Sequence, residues 1–269
     1  MKLLSPSLFV LLLISFSCSE DGFLAPVKSR KLDYFIEYYQ FTTEEPVPYQ
    51  KVDYRYDSLG KLEAFIASTY DSTSNTFKEE SRSVFFYNGN GASVEKIIVF
   101  LSVYPDPYQV YDYEYADGKV TKITEQYPGS SKKSTAAFEY AKDNTVTVTY
   151  TAMNGNSFNY QFQTKRGNIV SSQSTRGSQL CNEGSYEYDI HPNPFYTLGY
   201  LDFHLTNYSR NNKLEEVIKY IACAFPEQIV DHYEYHYNES GFPDVATTVY
   251  QTSGSTKPVS KRHFFYTTQ

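Results

Sequence analysis

Three side chains able to hold a metal ion alternate along one short stretch: His232, Glu234 and His236, interleaved with Tyr233, Tyr235 and Tyr237. On an extended strand, residues two apart share a face and lie about 6.8 Å apart at Cα. The metal-capable groups would therefore line one side and the tyrosines the other. Two imidazoles and a carboxylate are a partial zinc set, which still needs a further donor and supporting hydrogen bonds. The same spacing also describes a solvated polar face behind a tyrosine stripe, and no metal or other cofactor is expected. The tyrosine stripe itself, Tyr233, Tyr235 and Tyr237, is a candidate ligand face, because a ring offers apolar area and its hydroxyl a hydrogen bond.

Carboxylates occur as neighbours at Glu44-Glu45, Glu79-Glu80 and Glu215-Glu216, but adjacent residues on a strand point apart. Glycoside hydrolysis needs two carboxyl groups facing each other across the scissile bond, so an extracellular polymer hydrolase would have to assemble them from distant positions. The chain has no Gly-x-Ser-x-Gly elbow, HExxH helix or EF-hand loop. Asn88-Gly89-Asn90-Gly91 lacks the strand-to-helix setting of a phosphate loop. Catalytic residues are therefore assigned to none. Of three cysteines, Cys18 follows an apolar leader, which leaves Cys181 and Cys223 as the right number for one disulfide. Such a bridge would close a long loop and contribute roughly 3 to 4 kcal/mol; the alternative is two buried thiols in an apolar setting.

The elements that position these groups repeat. Tyr111-Asp112-Tyr113-Glu114-Tyr115-Ala116-Asp117-Gly118 reads as a strand running into a hairpin turn, with tyrosines on one face, acids on the other, and Asp-Gly tolerating positive φ. Related units close at Tyr56, Tyr87, Tyr140 and Tyr237, the early ones at intervals of roughly 25 to 31 residues, the size of one hairpin. After the turn comes an apolar residue, two others, then another apolar residue: Leu62 and Phe65, Val120 and Ile123, Leu214 and Val217, Phe242 and Val245. Positions three apart face opposite ways on a flat strand, so this pattern implies a β-bulge or a strand covered on both faces. Leu214, Val217, Ile218, Ile221 and Phe225 also fit a helical period, yet the alignment of that stretch with the hairpins makes it a strand. His191-Pro192-Asn193-Pro194-Phe195 loses two backbone donors to its prolines and is expected to shape a corner between two groups of hairpins.

Tyr56-Asp57-Ser58-Leu59-Gly60-Lys61-Leu62 resembles the tyrosine-aspartate (YD) repeat of Rhs-type and teneurin-type proteins. Asn88 and Asn238 replace the aspartate elsewhere and Ala116 departs from it, so a closed toxin-encapsulating shell is not implied. Most of the chain is similar to an uncharacterised family of Bacteroidota-type surface lipoproteins built from degenerate hairpins. The resemblance implies a fold and a location rather than a mechanism. The expected fold is all-β: consecutive antiparallel hairpins in one long twisted sheet, curled into a partly open roll or incomplete barrel. With 28 tyrosines, 19 phenylalanines and no tryptophan, its core would be aromatic.

Residues 1–17 read as a secretory signal with a lysine near the start and an apolar stretch from Leu8 to Ile14, too short to span a bilayer. Cys18 stands where a lipoprotein signal peptidase would leave an acylated first residue. Ser19-Glu20-Asp21 resembles an acidic surface-export signal, and residues 18–30 form a lipidated tether before a single domain over 31–269. A net charge of −7 without a basic cluster argues against nucleic acid. A transmembrane barrel is disfavoured by Glu63, Lys96 and Lys122 interrupting lipid-facing rows. The expectation is a lipid-anchored outer-membrane protein facing outward, a binding or scaffold module for a glycan or an envelope protein. The alternatives are the polymer hydrolase and a purely structural envelope protein. Cys18→Ala should move the protein from membrane to soluble fractions; unchanged fractionation would refute lipidation.

Overall fold

The computed structural model describes residues 30–39, 46–89, 91, 93–201, 205, 208–222, 228–252 and 255–267. Among them sixteen strands follow one another: β1 (Leu32–Tyr39), β2 (Val47–Tyr56), β3 (Leu62–Asp71), β4 (Thr76–Tyr87), β5 (Val94–Leu101), β6 (Gln109–Ala116), β7 (Lys119–Gln126) and β8 (Lys133–Tyr140) form the first half. The second half is β9 (Thr145–Thr151), β10 (Ser157–Lys165), β11 (Asn168–Arg176), β12 (Gln179–Pro192), β13 (Asn211–Tyr220), β14 (Gln228–Tyr237), β15 (Pro243–Thr252) and β16 (Ser255–Tyr266). Each pairs antiparallel with its neighbours in sequence, and β1 pairs with β16, so the sheet is a closed barrel rather than the open roll expected above. Closure satisfies the edge N–H and C=O groups that an open sheet would expose. Across the seam, Phe35 lies opposite Phe264, Tyr34 stacks on Phe265 with centroids 4.3 Å apart, and Arg262 bridges Glu37 at 3.2 Å. The stretch 211–220 is a strand, as its alignment with the hairpins implies.

The turns that the repeats predict gather at one end of the barrel, together with Leu32 and Tyr266; we call it the repeat end. Asp57 Oδ1 accepts from the backbone N–H groups of Leu59 and Lys61 at 2.9 and 2.8 Å, and Asn238 Oδ1 accepts likewise from Ser240 and Phe242. Aspartate and asparagine alternate here because either oxygen can hold the turn. Asp117 and Gly118 both take positive φ, 51° and 75°, the geometry of a two-residue hairpin turn.

After the turns the ladder slips. Tyr56 pairs with Leu62 but Arg55 with Ala64; the same shift separates Tyr87–Val94 from Phe86–Lys96 and Tyr115–Val120 from Glu114–Lys122. The extra residue is a β-bulge. It is what lets Leu62 and Phe65, Val94 and Ile97, and Val120 and Ile123 face the same way.

A latch joins each such unit to the hairpin before it. The hydroxyl of Tyr56 donates to the Leu32 carbonyl (2.8 Å), Tyr87 to Leu62 (2.9 Å), Tyr115 to Val94 (2.8 Å) and Tyr266 to Pro243 (2.7 Å). Each acceptor is the first residue of the preceding strand, and Leu32, Leu62 and Val94 are each 1% exposed. Lys31 and Lys61 lay their ammonium groups over Tyr56 and Tyr87, 5.1 and 5.4 Å from the centroids. Gly60 and Gly91 are required beneath them: both have positive φ, and a Cβ at either would collide with the lysine head.

Burial pushes the latch-row phenols up, to about 12 at Tyr115, with Tyr87 a lesser cause, and to about 12 at Tyr140, with Tyr208 and Tyr115 adding to it. A phenol whose folded value is raised contributes stability in full below the unfolded value, about 10, and loses it as pH rises through the folded one. Unfolding free energy should therefore be flat up to about pH 10 and fall steeply towards 12, with phenolate absorbance rising in step. Tyr87→Phe should cost about 1 kcal/mol in denaturant unfolding; an unchanged midpoint would deny the latch its part.

Candidate functional site: the barrel lumen

The aromatic face looks inward. Registered pairs carry it from strand to strand: Phe35 faces Val52, Phe85 faces Ile97, Ile123 faces Tyr113 and Ala136, Phe138 faces Val148, and Tyr235 faces Ala246. The other face looks outward and is mixed: Lys51 bridges Asp53 at 2.6 Å, Lys122 bridges Glu114 at 2.9 Å and Lys96 pairs with Asp112 at 3.4 Å, while Val84, Ile98 and Val110 form an apolar row across β4 to β6 and Phe86 and Phe265 are exposed. On β9 to β11 it is neutral and polar, where Thr149 donates to Asn159 and Gln161 lies opposite Gln173. Glu63, Lys96 and Lys122 sit on strands where the sequence places them, among these polar neighbours.

The direction of each face is settled by the described residues between β12 and β13, 193–201, 205 and 208–210, which reach into the barrel. Phe195 meets Phe35 and Phe264 (centroids 5.9 and 6.0 Å), Tyr200 meets Phe85 (4.9 Å), and the Leu201 carbonyl accepts from Tyr113 (2.9 Å). These partners lie on β1, β16, β4 and β6, so the segment is a plug touching distant parts of the wall. A 3-10 turn, Tyr196–Leu198, buries Leu198, and Gly199 ends it in the left-handed region. The root of the plug is pinned: Asn193 N–H donates to the Arg210 carbonyl and Arg210 N–H to that of Gly167, while Ser209 Oγ accepts from Ile169 N–H and donates to Tyr188. His191 to Phe195 thus turns the chain into the lumen instead of cornering two groups of hairpins. Its prolines suit that task because a segment leaving the ladder has no strand partner for its donors.

Between the plug and the far end of the barrel lies a cavity of about 630 Å³, lined by Phe35, Tyr186, Tyr233, Tyr235, Ala246 and Thr248 among others. A second cavity of about 550 Å³ adjoins it, sharing Phe162, Tyr186, Leu205 and Glu216. Two ion pairs face the first. Lys213 Nζ lies 2.7 Å from Glu216, and 4.9 and 5.9 Å from the ring centroids of Tyr186 and Tyr233. Tyr233 donates to the same Glu216 carboxylate at 3.3 Å. On the other flank Glu37 is bridged by Arg262, whose guanidinium lies 5.5 Å from the Phe35 centroid. Burial pushes the Tyr233 phenol far up, and the carboxylates of Glu216 and Asp231 push it further.

The residues singled out in the sequence therefore separate. Tyr233 and Tyr235 line the cavity, with the Tyr235 hydroxyl donated to the Lys213 carbonyl at 2.9 Å. Tyr237 points inward but stacks on His191 (3.9 Å) and bonds Asp189. The stripe is thus the inner wall of a barrel and not an external platform. His232 and His236 lie on the outer face and engage different carboxylates, Glu215 at 3.2 Å and Asp244 at 2.6 Å, while Glu234 is exposed between them. They do not converge on one point. Glu215 turns out and Glu216 in, as strand alternation demands. Cys181 is buried and disulfide-bonded; Cys18, Cys223 and the pair Glu44-Glu45 lie outside the described residues. The lumenal groups Glu37, Lys213, Glu216 and Arg262 carry no local motif. The signal for two of them was the repeat itself: aligned by the bulge, Lys213 and Glu216 stand where β3 has Leu62 and Phe65.

No family model matches the sequence, and no curated protein does. The chain is similar in fold to two crystal structures of porin-like proteins. One, from Bacteroides uniformis, has a TM-score of 0.56 at 12% identity over 88% of this chain and 98% of that one. The other, from Bacteroides vulgatus, has a TM-score of 0.53 at 12% identity over 90% and 100%. At that identity the likeness is one of fold, and it places this chain among closed antiparallel β-barrels. If the plug is the barrel's core, Leu198→Ala should lower unfolding free energy by about 2 to 5 kcal/mol. A loss under about 0.5 kcal/mol, the surface range, would mean that the plug is not packed.

Proposed function

We propose that this chain is an envelope lipoprotein, tethered through Cys18 at the outer membrane and facing outward, whose barrel is a receptor with no catalysis of its own. The observation that carries the reading is the polarity of the wall. A barrel that spans lipid presents an apolar band outward and a polar interior; here ion pairs interrupt the outward face on β2, β5, β6 and β7, and the buried aromatic cluster is inside. Such a barrel belongs in water, held to the envelope by its lipid. The porin-like neighbours support an envelope setting, and Cys18 behind its apolar leader supports the tether.

The lumen is plugged, so passage of solutes is not its task, but the remaining cavity falls within the size range of small-molecule sites. Of the two partner kinds expected from the sequence, a lumenal seat suits a glycan better than a folded protein. That cavity also separates a binding role from a purely structural one. The polymer-hydrolase alternative draws support from Glu37 and Glu216 facing one cavity. Each is already bridged to a cation, whereas a glycosidase needs one of its two carboxyls as proton donor.

We assign the Cys181 disulfide to Cys223, because Ile221 N–H bonds the Cys181 carbonyl at 2.8 Å only two residues before Cys223. Non-reducing digestion should return the two in one linked peptide; finding Cys181 alkylated would contradict it. The secreted Cys18→Ala chain should remain monodisperse without detergent and give no conductance steps in planar bilayers. Dependence on detergent together with open-channel currents would reject the closed, water-facing barrel.

A further inference from the structure

We infer that the lumenal cavity is a seat for a short neutral oligosaccharide, stacked on Tyr233 and Tyr235 between the Lys213–Glu216 and Glu37–Arg262 ion pairs. The inference rests on the receptor reading above and adds the chemical class of the ligand.

The bulge register shows that one of these pairs is out of place as packing. At equivalent positions the repeats carry Leu62 and Phe65 on β3, Val94 and Ile97 on β5, Val120 and Ile123 on β7, and Pro243 and Ala246 on β15. On β13, Tyr188 pairs with Lys213 and Glu187 with Glu215, so Lys213 and Glu216 occupy that apolar row. An ion pair brought into a lumen is usually no more stabilising than the apolar residues it replaces. A local departure from an otherwise repeated packing rule is the mark of a functional position.

The surroundings specify what could bind. Ala246 and Thr248 on β15 are small, which opens a bay beside the rings of Tyr233 and Tyr235 on β14. The hydroxyls nearby are engaged: Tyr235 with the Lys213 carbonyl, Tyr233 with Glu216, Tyr186 with Ser172 and Tyr188 with Ser209. What the rings offer is therefore their faces. Hydrogen bonding falls to the two ion pairs, each of which joins donors to acceptors, as vicinal hydroxyls require. Arg262 Nε adds a buried donor without a partner among the described residues. From β13 to β16 the wall spans three strand intervals, about 14 Å, the length of roughly two or three sugar rings.

Charge selects against the alternatives. Both cations are already compensated, Lys213 at 2.7 Å and Arg262 at 3.2 Å, so an acidic ligand would have to break a bridge. Asp231, the registered partner of Glu216 on the same inward face, would add a repulsive charge from beside the cavity. A cationic ligand would have to displace Lys213 or Arg262 from its carboxylate. A neutral polyol can bond to both pairs without separating either.

The chain has no tryptophan, so its emission comes from tyrosine alone, and calorimetry reads binding without a label. The full-length barrel should be titrated with neutral gluco-, manno- and galacto-oligosaccharides, with oligogalacturonates, and with chitosan oligomers. Saturable binding of a neutral oligosaccharide is expected, weakened about tenfold or more by Tyr233→Ala. The decisive variant is Lys213→Leu with Glu216→Phe, the pair that β3 carries at these positions. It should keep or raise the midpoint of unfolding while abolishing binding; retained binding in a folded double variant would overturn the seat. Should the double variant fail to fold, the Arg262→Met variant replaces it with the same expectations. Saturation by the acidic or the cationic oligomers instead, lost in the same variants, would overturn the neutral class and keep the lumenal receptor. No saturation by any of the three sets would overturn the sugar assignment. Conductance in bilayers would overturn the receptor reading itself.

Discussion

A barrel of sixteen strands is too wide for the side chains of its own wall to meet across it. At eight strands the inward residues can fill the interior, whereas at sixteen to eighteen a channel is left. A wall whose inner face is aromatic cannot leave that space to water without losing the burial that drives folding. The chain resolves the conflict by placing residues of the β12 to β13 connection inside the wall. Phe195, Leu198, Tyr200 and Leu205 give Phe35, Phe85, Phe264 and their neighbours something to pack on. Everything else about the lumen follows, because the space the plug does not fill is the cavity.

The wall is regular for a separate reason. At Tyr56, Tyr87, Tyr115 and Tyr266 a strand is tied to its predecessor by a tyrosine hydroxyl on a backbone carbonyl and, at Lys31 and Lys61, by an ammonium over the next ring. These ties run between sequence neighbours, so the wall can grow by local steps at low loop-closure cost. Two features among the described residues demand meeting over a long range: the β1–β16 seam and the plug. Both use side chains that also reach the cavity, Arg262 with Glu37 at the seam and Phe195 against Phe35 at the plug. Folding completion and formation of the cavity are therefore the same event.

Much of the wall was legible in the sequence, since alternation, turn residues and the spacing of three after each turn are local consequences of strand and bulge geometry. Asp117-Gly118 and the pair Val120 and Ile123 announced their hairpin and its bulge. Closure was not legible, because Leu32 and Tyr266 meet across the whole chain and nothing near either names the other. Nor was the sense of curvature: a stripe such as Tyr233, Tyr235 and Tyr237 looks the same whether it lines the inside or the outside of a sheet. The plug was hidden for a third reason. His191 to Phe195 announces departure from the ladder, and only the wall's width decides whether the chain leaves outward or inward. Lys213 and Glu216 became visible once the register placed them in an apolar row; the pattern of Leu214 and Val217 had suggested the row one residue off.

The likeness to porin-like folds and the reversed polarity of this wall are compatible because strand number and hydrogen-bond register set the shape of a barrel, while the choice of face sets its solvent. Since lipid-facing and lumen-facing residues alternate, exchanging the two faces changes no backbone hydrogen bond. It does change what the interior can be. A membrane barrel draws its stability from lipid outside and tolerates water within, so its lumen is free to conduct. A barrel in water must bury its aromatics inside, and its lumen then holds a core with a recess in it. Polar groups in such a recess are costly unless paired, and the two ion pairs that border the cavity are each satisfied across or along the wall. The same shape that suits passage in one solvent therefore suits retention in the other.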